Sequence, residues 1–283
     1  MDADVPQCPR LGLARARLHS VRWSFVFIGL AALSGCHLVF ELEPGTEVPM
    51  SDGARTTYRE TVLDDGPVAY WRLGTASDAV AVDESGNGNS GTYVGNVLPG
   101  APGALVGDAD AATEFDGDDD TITMGDRLSF EGSAAFTIEA WVRPTAHEAN
   151  FAGIVSKTDE QSGGGIKTGY LLYDQFNRFG CERSDGISSH KVETTELSVD
   201  RWTYVAATFD GAMLSLYVDA VMQDSTIAPT LISIPGTSMP FAIGARNGGT
   251  WLMFTGSIDE VAIYDHALER SQLENHRRVA FGQ

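Results

Sequence analysis

The clearest alternation of apolar and polar positions in the chain lies at residues 136–144. Phe136, Ile138, Ala140 and Val142 share one parity, and Thr, Glu, Trp and Arg occupy the positions beside them. Because successive side chains of a strand point to opposite faces, this pattern predicts a strand with one thoroughly buried face. The proline that closes the segment cannot donate a ladder hydrogen bond, so we expect the strand to end there.

Further runs of β-branched, aromatic and apolar residues predict the strands that would cover this face. The strongest pair lies at 201–209 and 213–218, and Asp210-Gly211 between them predicts a hairpin turn. Residues 267–273 have the pattern of a short helix. The other strand candidates lie at residues 67–73, 92–94, 112–115, 121–124, 153–157, 170–173, 178–181, 241–244 and 256–264. Many short strands with one short C-terminal helix predict an all-β fold, a two-sheet antiparallel sandwich.

Composition agrees with one globular all-β domain plus a tail. Of the 283 residues, 43% are hydrophobic, only 9% are aromatic and 20% are charged. The formal net charge of -20 makes nucleic acid and anionic membrane surfaces poor partners. Such acidity is compatible with cation binding, and also with a surface that only keeps the protein soluble.

The amino-terminal residues have the layout of a secretory signal. Arginines within residues 10–22 precede an apolar run at 23–33, and a Ser-Gly-Cys sequence follows at once. An uncleaved membrane span is the alternative, but a spanning helix needs about 20 apolar residues. We therefore expect residues 1–35 to be a signal peptide.

Residues 33–36, Leu-Ser-Gly-Cys, also resemble the bacterial lipobox. This resemblance implies that Cys36 receives a lipid and becomes the first residue after cleavage. Several acyl chains hold a protein on a bilayer essentially permanently, so we expect an exported, lipid-anchored protein of the cell envelope, at the outer membrane or the cell surface. Residues 36–58 would form a flexible tether and residues 59–283 the folded domain.

The predicted export and lipidation determine the expected state of each cysteine. Cys8 would be discarded with the signal peptide and Cys36 would carry the lipid, which leaves Cys181 alone. An internal disulfide is then impossible. No base or nucleophile motif accompanies Cys181, so we expect it to be a small buried hydrophobic residue.

Seven segments of the chain together resemble the laminin-G-like jelly roll, a family of the concanavalin A-like lectin and glucanase superfamily. They are Val68-Ala-Tyr-Trp-Arg-Leu73, Asp83-Glu-Ser-Gly-Asn-Gly-Asn-Ser-Gly91, Glu114-Phe-Asp-Gly-Asp-Asp-Asp120, Phe136-Thr-Ile-Glu-Ala-Trp-Val142, Trp202-Thr-Tyr-Val-Ala-Ala-Thr-Phe-Asp-Gly211, Leu216-Tyr-Val-Asp219 and Ile258-Asp-Glu-Val-Ala-Ile-Tyr264. Each segment is weak alone, but together they occur in the family's order over roughly residues 62–276.

The resemblance implies a concanavalin A-like jelly roll, in which two antiparallel sheets pack face to face. Ala220 stands where the family usually has the glycine of a Val-Asp-Gly turn, so we expect a less tight turn there. The family contains lectins, adhesion modules and appended domains. Its fold alone therefore does not identify a ligand.

Oxygen-bearing side chains alternate in the loop that follows the first predicted strand. Asp83, Ser85, Asn87 and Asn89 are interspersed with glycines, and Ca²⁺ prefers such oxygen ligands on a flexible backbone. The loop departs from an EF-hand loop after its first half, so further ligand charge must come from elsewhere. The alternative is an Asx-rich turn whose side chains cap their own backbone.

Asp259 is the candidate for the missing charge. It shares parity with Val261 and Ile263, so it begins its strand on the buried side if those two face the core, where an unpaired carboxylate is costly. The superfamily resemblance agrees, since related glucanases place a structural calcium ligand near the start of the equivalent strand. The predicted ligands of a structural Ca²⁺ are Asp83, Ser85, Asn87, Asn89 and Asp259.

The acidic turn with Asp116, Asp118, Asp119 and Asp120 is a candidate for a second cation site, or for a solvated hairpin tip.

Hydrolysis of a glycosidic bond needs two carboxylates about 5–9 Å apart, and related glucanases supply them from a Glu-x-Asp-x-x-Glu cluster on one strand. The sequence contains no such cluster. Glu139 and Glu260 occur singly in predicted strands, and we expect both to be structural or surface groups.

Sugar binding would use exposed aromatic rings. The candidates are Tyr170, Tyr173, Phe176 and Trp251, and for each of them core packing is an equal or better interpretation.

We therefore expect a cell-envelope lipoprotein whose jelly roll binds a glycan or an extracellular or envelope protein without catalysis, with Ca²⁺ fixing a loop. A glycan-active hydrolase or lyase of the same superfamily is the first alternative, opposed by the missing carboxylate cluster. A purely structural envelope protein is the second. The expected partners are the ligand and, through acylated Cys36, the lipid bilayer, but not nucleic acid.

Overall fold

The computed structural model of the chain describes residues 56–74, 79–146, 151–161, 165–176, 178–195, 198–227 and 237–283, without the side chains of residues 161 and 165–167. All of these residues belong to one compact unit, Asp52–Gln283. The predicted signal peptide, the predicted lipid attachment site Cys36 and residues 36–55 of the predicted tether lie outside the described residues. The expectations for these parts stay predictions.

The described residues form two helices and sixteen strands, numbered in chain order. The helices are α1 (Tyr58–Asp64) and α2 (Arg270–Ala280), and neither is long and apolar enough to cross a membrane. The strands are β1 (Ala69–Trp71), β2 (Val80–Ala81), β3 (Gly91–Val94), β4 (Leu98–Pro102), β5 (Ala111–Asp116), β6 (Thr121–Thr123), β7 (Phe136–Pro144), β8 (Ala152–Gln161), β9 (Gly165–Gln175), β10 (Arg178–Ser184), β11 (Ser189–Glu193), β12 (Thr203–Phe209), β13 (Met213–Val218), β14 (Val221–Ile227), β15 (Ala242–Ile243) and β16 (Thr255–Tyr264).

The strands assemble into two antiparallel sheets. Sheet A has the order β14-β13-β12-β7-β16-β5-β4, and β1 also pairs with β16. Sheet B has the order β11-β10-β9-β8-β15-β6-β3-β2. The predicted fold class is confirmed: a two-sheet antiparallel jelly-roll sandwich with a short C-terminal helix. That helix begins at Arg270 rather than at residue 267, because Glu269 forms a capping box with Gln272.

The main core contains apolar side chains from both sheets. The four alternating residues of β7 all belong to it, and β7 ends at Pro144 as predicted. A fully buried large apolar side chain contributes about 1.5–3 kcal/mol, so this face accounts for much of the stability of the sandwich. Cys181 is also in this core, where burial raises the pKa of its thiol. Its predicted role as a small buried hydrophobic residue is confirmed.

The opposite face of β7 is buried as well, which the alternation did not predict. Tyr58 from α1 and Leu273 from α2 belong to a second apolar cluster with Trp141 and Tyr204 on the outer face of sheet A. The sequence did carry a signal for α1, because Thr57 and the glutamate three residues later form a capping box.

Strand β16 has two successive neighbours along one edge. Residues 255–258 pair with β5, and residues 261–263 pair with β1. Between them lie Asp259 and Glu260, where the register with β7 also shifts and Glu260 has a φ of 52°. A bulge of this kind re-aims side chains. We call this two-residue interval the seam.

The hairpin β12–β13 has the predicted turn at Asp210-Gly211. The next turn consists of Asp219 and Ala220 alone, with φ values of 51° and 63°, and Val218 pairs directly with Val221. The expected looser turn is therefore wrong. Both turn residues have positive φ angles, although this conformation costs a residue with a Cβ about 1–2 kcal/mol.

Candidate functional site

The seam gathers acidic side chains from separate parts of the chain. Carboxylate oxygens of Asp110, Asp259 and Glu260 lie within 4.8 Å of one another. Arg72, which follows β1, lies 3.0 Å from Asp110 Oδ2 and 3.0 Å from Glu260 Oε1, and it also donates to Asp108 at 2.8 Å. One guanidinium therefore neutralises only part of the charge of these four acids.

Asp259 is the least satisfied member of this group. It is 1% exposed, its Oδ2 accepts from the backbone amide of Ala104 at 2.8 Å, and its buried Oδ1 has no hydrogen-bond partner among the described residues. Burial and repulsion from Glu260 raise the pKa of Asp259 well above its usual range. Burial also raises the pKa of Glu260 to about 7, although Arg72 and Tyr70 oppose this shift. An unpaired carboxylate oxygen among other carboxylates suits a hard cation.

The loop at residues 83–89 has a different chemistry. Asp83 Oδ1 accepts from the backbone amides of Tyr70 and Ser85 at 3.0 Å and from the Ser85 hydroxyl at 2.6 Å. Asp83 Oδ2 accepts from the Asn89 amide at 2.8 Å, and the side-chain amides of Asn87 and Asn89 donate to the backbone just before β1. These contacts are those of the Asx-rich turn, and a cation would have to replace them.

The two predicted halves of the calcium site differ in how their carboxylates are partnered. Asp83 belongs to neither of the carboxylate groups found among the described residues, whereas Asp259 groups with Asp110 and Glu260. As arranged, both oxygens of Asp83 accept hydrogen bonds from protein donors, whereas Asp259 Oδ1 has no partner among the described residues and lies among other acids. Sequence reasoning missed Asp110 and Arg72, because only the pairing of β16 with both β5 and β1 brings them to the seam.

Glu139 lies in a buried polar network on the outer face of sheet A. Its carboxylate accepts from the hydroxyls of Tyr204 and Tyr264 and pairs with His276 Nδ1 at 3.0 Å, while His276 Nε2 lies 2.8 Å from Asp65. Burial opposes ionisation of Glu139, but the charge of His276 and these hydrogen bonds outweigh it and lower the pKa. Burial likewise disfavours charged His276, but Glu139 and Asp65 raise its pKa. The network fastens both helices to the sheet.

Neither Glu139 nor Glu260 is placed to attack a substrate. Both are 0% exposed, and Glu260 is held by Arg72 and by the hydroxyl of Tyr70. Both are therefore structural rather than surface groups.

Two of the four candidate aromatic residues are buried. Tyr170 is 1% exposed and Tyr173 is 0% exposed, and both hydroxyls bond to protein groups, so neither ring can stack on an external sugar. These two side chains pack in the interior, as the alternative interpretation allowed. Phe176 and Trp251, with 59% and 38% exposure, remain available to a ligand.

Trp251 lines a cavity of about 260 Å³, which we call the rim cavity. The Trp251 backbone forms an isolated β-bridge with the backbone of Arg246. The Nε atom of Arg246 lies 2.8 Å from Glu160 in a buried ion pair. The Trp251 backbone is thus held by a fixed neighbour. The other lining residues are Gly117, Asp118, Ala152, Thr250, Leu252 and Met253. A larger cavity of about 390 Å³ is lined by residues 56–58, 105–109, 279–280 and 282, and none of the predicted site residues lines it.

Solved structures with the same architecture include several binding domains. The binding domain of Paraclostridial Mosquitocidal Protein 1 has a TM-score of 0.59 at 18% identity, covering 76% of this chain and 52% of that one. The botulinum neurotoxin serotype G binding domain gives 0.58 at 14%, covering 75% and 51%. The binding domain of botulinum neurotoxin DC in complex with SialylT gives 0.56 at 13%, covering 77% and 52%. The chain thus spans about half of these structures, and the likeness shows the fold.

Sequence comparison gives the family. No curated protein sequence matches this chain. The family model described as concanavalin A-like lectin/glucanases superfamily matches residues 116–274, which is more than half of the sequence. The chain therefore belongs to the concanavalin A-like lectin/glucanase superfamily.

Proposed function

We propose that this protein is a non-catalytic binding module that recognises a glycan or an extracellular or envelope protein at the rim cavity. The observation that carries the proposal is Trp251, a partly exposed aromatic residue in a cavity whose lining also includes the polar side chains of Asp118 and Thr250. Ligand sites are typically concave, with aromatic lining and a few placed polar groups. The indole ring offers the flat apolar surface on which a sugar ring stacks.

The similar solved structures support binding as the general class. Their printed descriptions call them binding domains, and one was solved in complex with SialylT. Identities of 13–18% concern the fold, so the ligand class rests on the rim cavity of this chain.

A glycan array and a pull-down with envelope proteins test the proposal on the full chain. We expect a subset of glycans or one protein to be retained, and Trp251→Ala to lose that retention. Phe176→Ala is the matched control, since Phe176 is exposed but does not line the rim cavity. If neither assay retains a ligand, the proposal fails in favour of a purely structural envelope protein.

The glycan-active hydrolase or lyase has no comparable support. Its two candidate carboxylates, Glu139 and Glu260, are buried in the interior. Turnover of a β-glucan panel that is lost on substitution of either residue would revive the enzyme.

We also propose the layout and the cellular location that the sequence predicts, with a signal peptide at 1–35, a tether that begins at Cys36 and the folded domain after it. The predicted boundary at residues 58/59 moves towards the N-terminus, because Tyr58 begins α1 and is buried. The lipobox-like residues 33–36 support a lipid anchor on Cys36 in the cell envelope. Cys36→Ser should leave the precursor unacylated and uncleaved by the lipoprotein peptidase. Normal acylation of this variant would contradict the anchor.

For the predicted structural Ca²⁺, we propose a site at the seam. The unpaired Asp259 Oδ1 beside Asp110 and Glu260 supports it. Asp83 and its loop would then contribute as a hydrogen-bonded turn, since its carboxylate already accepts four hydrogen bonds. The unpaired Oδ1 of Asp259 would be one of the oxygen ligands of this ion.

A further inference from the structure

We propose that Arg246 is a positioning residue for ligand binding at the rim cavity. By pairing with Glu160 in the interior, it would hold Trp251 in the orientation in which the indole ring meets a bound molecule. This inference rests on the proposed binding function and deepens it. The segment concerned is residues 246–252, which we call the tryptophan loop.

The tryptophan loop is closed at its base by the backbone of Arg246. The Arg246 amide donates to the Trp251 carbonyl at 2.7 Å. The Arg246 carbonyl accepts from three amides, those of residues 249, 250 and 251, at 3.0, 3.0 and 3.3 Å. Four backbone hydrogen bonds of the loop therefore converge on one residue, so the position of Arg246 determines the position of the Trp251 backbone.

The side chain of Arg246 is anchored beside strand β8. It is 6% exposed, and its Nε lies 2.8 Å from Oε1 of Glu160, whose side chain is 1% exposed. Its Nη1 donates to the Phe151 carbonyl at 3.2 Å, and its guanidinium carbon lies 5.6 Å from the centre of the Phe151 ring. Phe151 directly precedes Ala152, which lines the rim cavity together with Trp251. One buried side chain thus connects two parts of the cavity lining.

A second set of hydrogen bonds fixes the residue after Arg246. The Glu160 amide donates to Asn247 Oδ1 at 3.1 Å, and the Asn247 amide donates to the Thr158 hydroxyl oxygen at 3.2 Å. The Thr158 hydroxyl in turn donates to Glu160 Oε1 at 3.1 Å. The carboxylate that pairs with Arg246 is therefore itself held in place, as accurate positioning of a binding group requires.

The backbone of the tryptophan loop is strained at both ends. Asn247 has a φ of 49° and Leu252, which directly follows Trp251, has a φ of 46°. Residues with a Cβ avoid this left-handed conformation, and a bulky residue such as leucine does so most strongly. It persists only where the surrounding structure over-determines it, often at ligand-binding sites. Here the Leu252 carbonyl accepts from the Gly153 amide at 2.9 Å. Tertiary contacts rather than local preference therefore set the backbone that carries the indole ring.

This arrangement would contribute to binding without touching the bound molecule, since Arg246 does not line the rim cavity. A molecule that stacks on a mobile ring must first immobilise the ring and its loop, which lowers the affinity. A ring that is already held avoids this loss. Arg246 would thus act through Trp251.

Fluorine NMR of the full chain labelled with 5-fluorotryptophan tests the positioning, because the resonance that disappears in Trp251→Phe belongs to Trp251. Arg246→Met keeps an unbranched side chain and removes its donors. We expect the Trp251 resonance to become narrower and to move towards that of free 5-fluorotryptophan, since the ring becomes mobile. Glu139→Gln is the matched control, because it disturbs a buried polar network on the other sheet and should leave the Trp251 resonance unchanged.

Circular dichroism melting of each variant establishes that it is folded. If Arg246→Met does not fold, Glu160→Gln replaces it, since that variant removes the charge of the ion pair but keeps an acceptor for Arg246. We expect it to shift the Trp251 resonance in the same direction by a smaller amount. A wild-type Trp251 resonance in folded Arg246→Met, or in Glu160→Gln where that variant replaces it, would overturn the proposal.

The glycan array and the envelope-protein pull-down, repeated with these variants, test the role in binding. Retention by Arg246→Met should fall at least about fivefold below wild type, and retention by Glu139→Gln should stay within about twofold. A changed Trp251 resonance with undiminished retention would overturn the role of Arg246 in binding and leave the proposed function standing. If the wild type retains nothing, the proposed function fails, whereas the fluorine spectra still decide whether Arg246 positions Trp251.

Discussion

Glu139 and Asp259 are two buried carboxylates on paired strands of one sheet, yet their electrostatic environments are opposite. Glu139 receives hydrogen bonds from two tyrosines and a pair with His276, and its pKa is lowered. Asp259 receives one backbone amide, keeps one oxygen unpaired, and has a raised pKa. Their exposures are 0% and 1%, so burial does not distinguish them. The difference lies in the partners that each receives.

The comparison shows which buried charge the protein compensates by itself. A buried carboxylate is tolerated when it is paired and hydrogen-bonded, and it is costly otherwise. The two helices bring Asp65 and His276 to Glu139, so that site is complete. The interval between β5 and β1 brings Asp110 and Glu260 to Asp259, so that site needs a proton or a cation.

The largest expected effect is on the complete site. Glu139→Ala should lower the free energy of unfolding by about 3–5 kcal/mol, because it leaves His276 and two tyrosine hydroxyls buried without their acceptor. Urea unfolding at pH 7 measures it. Glu139→Gln keeps one acceptor and should cost less. A loss below about 1 kcal/mol for Glu139→Ala would mean that the network contributes little and that the comparison is wrong.

At the seam, the stability of the fold should depend on calcium more than on the Asp259 carboxylate itself. A ligand that binds only the folded state stabilises it by about 2.7 kcal/mol at a hundredfold excess over its Kd. Calcium should therefore raise the melting temperature of the wild type, and Asp259→Asn should remove that part of the increase while costing little in EDTA. Asp83→Ala should destabilise equally with and without calcium, since it loses hydrogen bonds.

Two results would reverse this assignment. A calcium response that disappears in Asp83→Ala, with no further loss in the Asp83/Asp259 double variant, would restore the shared site predicted from the sequence. A melting temperature that calcium does not change would remove the seam ion altogether.

A smaller effect is expected from pH. The raised pKa of His276 means that its contribution is fully present below its unfolded value of 6.5 and is lost as pH rises through the folded pKa. The lowered pKa of Glu139 acts at the acidic end. The stabilisation that ionised Glu139 provides is present above its unfolded pKa of about 4.5 and is lost as pH falls below it. Unfolding free energy should thus decline above pH 6.5, by no more than about 1.4 kcal/mol per pH unit from this one proton.

Urea unfolding between pH 6 and 9 measures this decline. His276→Gln should make the decline smaller, and the part that remains is expected from Glu260, whose raised pKa of about 7 also lowers the unfolding free energy as pH rises through it. His266→Gln is the control, because that imidazole is 45% exposed beside Asp265. The same pH dependence in wild type and His276→Gln would show that the charge of His276 does not stabilise the fold.

The smallest expected effect is the loss of an exposed ion pair, which serves as the reference for the buried Glu139 network. Arg270 and Glu274 form an i,i+4 pair at 2.8 Å on α2, and both side chains are more than half exposed. Glu274→Gln should change the free energy of unfolding by less than about 0.5 kcal/mol, because solvent screens the pair. Thermal melting compares it with Glu139→Gln. Equal losses in the two variants would show that burial does not strengthen the Glu139 network.

Local pattern determined much of this protein from the sequence alone. The alternation at residues 136–144 and its closing proline predicted β7 with its bounds, and Asp210-Gly211 predicted the β12–β13 hairpin. The density of short strands predicted the sandwich. These features follow from side-chain periodicity and turn chemistry, which act over a few residues. The Thr57–Glu60 capping box was also a local signal, but it spans the expected boundary between the tether (36–58) and the domain (59–283).

Tertiary structure decided which polar and aromatic groups are accessible and which are paired. Alternation placed Glu139 opposite the core, but only α1 and α2 bury that second face and bring His276 to it. Parity placed Asp259 on the buried side, but only the two-part pairing of β16 brings Asp110 to it. Tyr173 is buried and Trp251 is exposed for the same reason: burial depends on which distant segment covers a residue, and local pattern does not specify that segment.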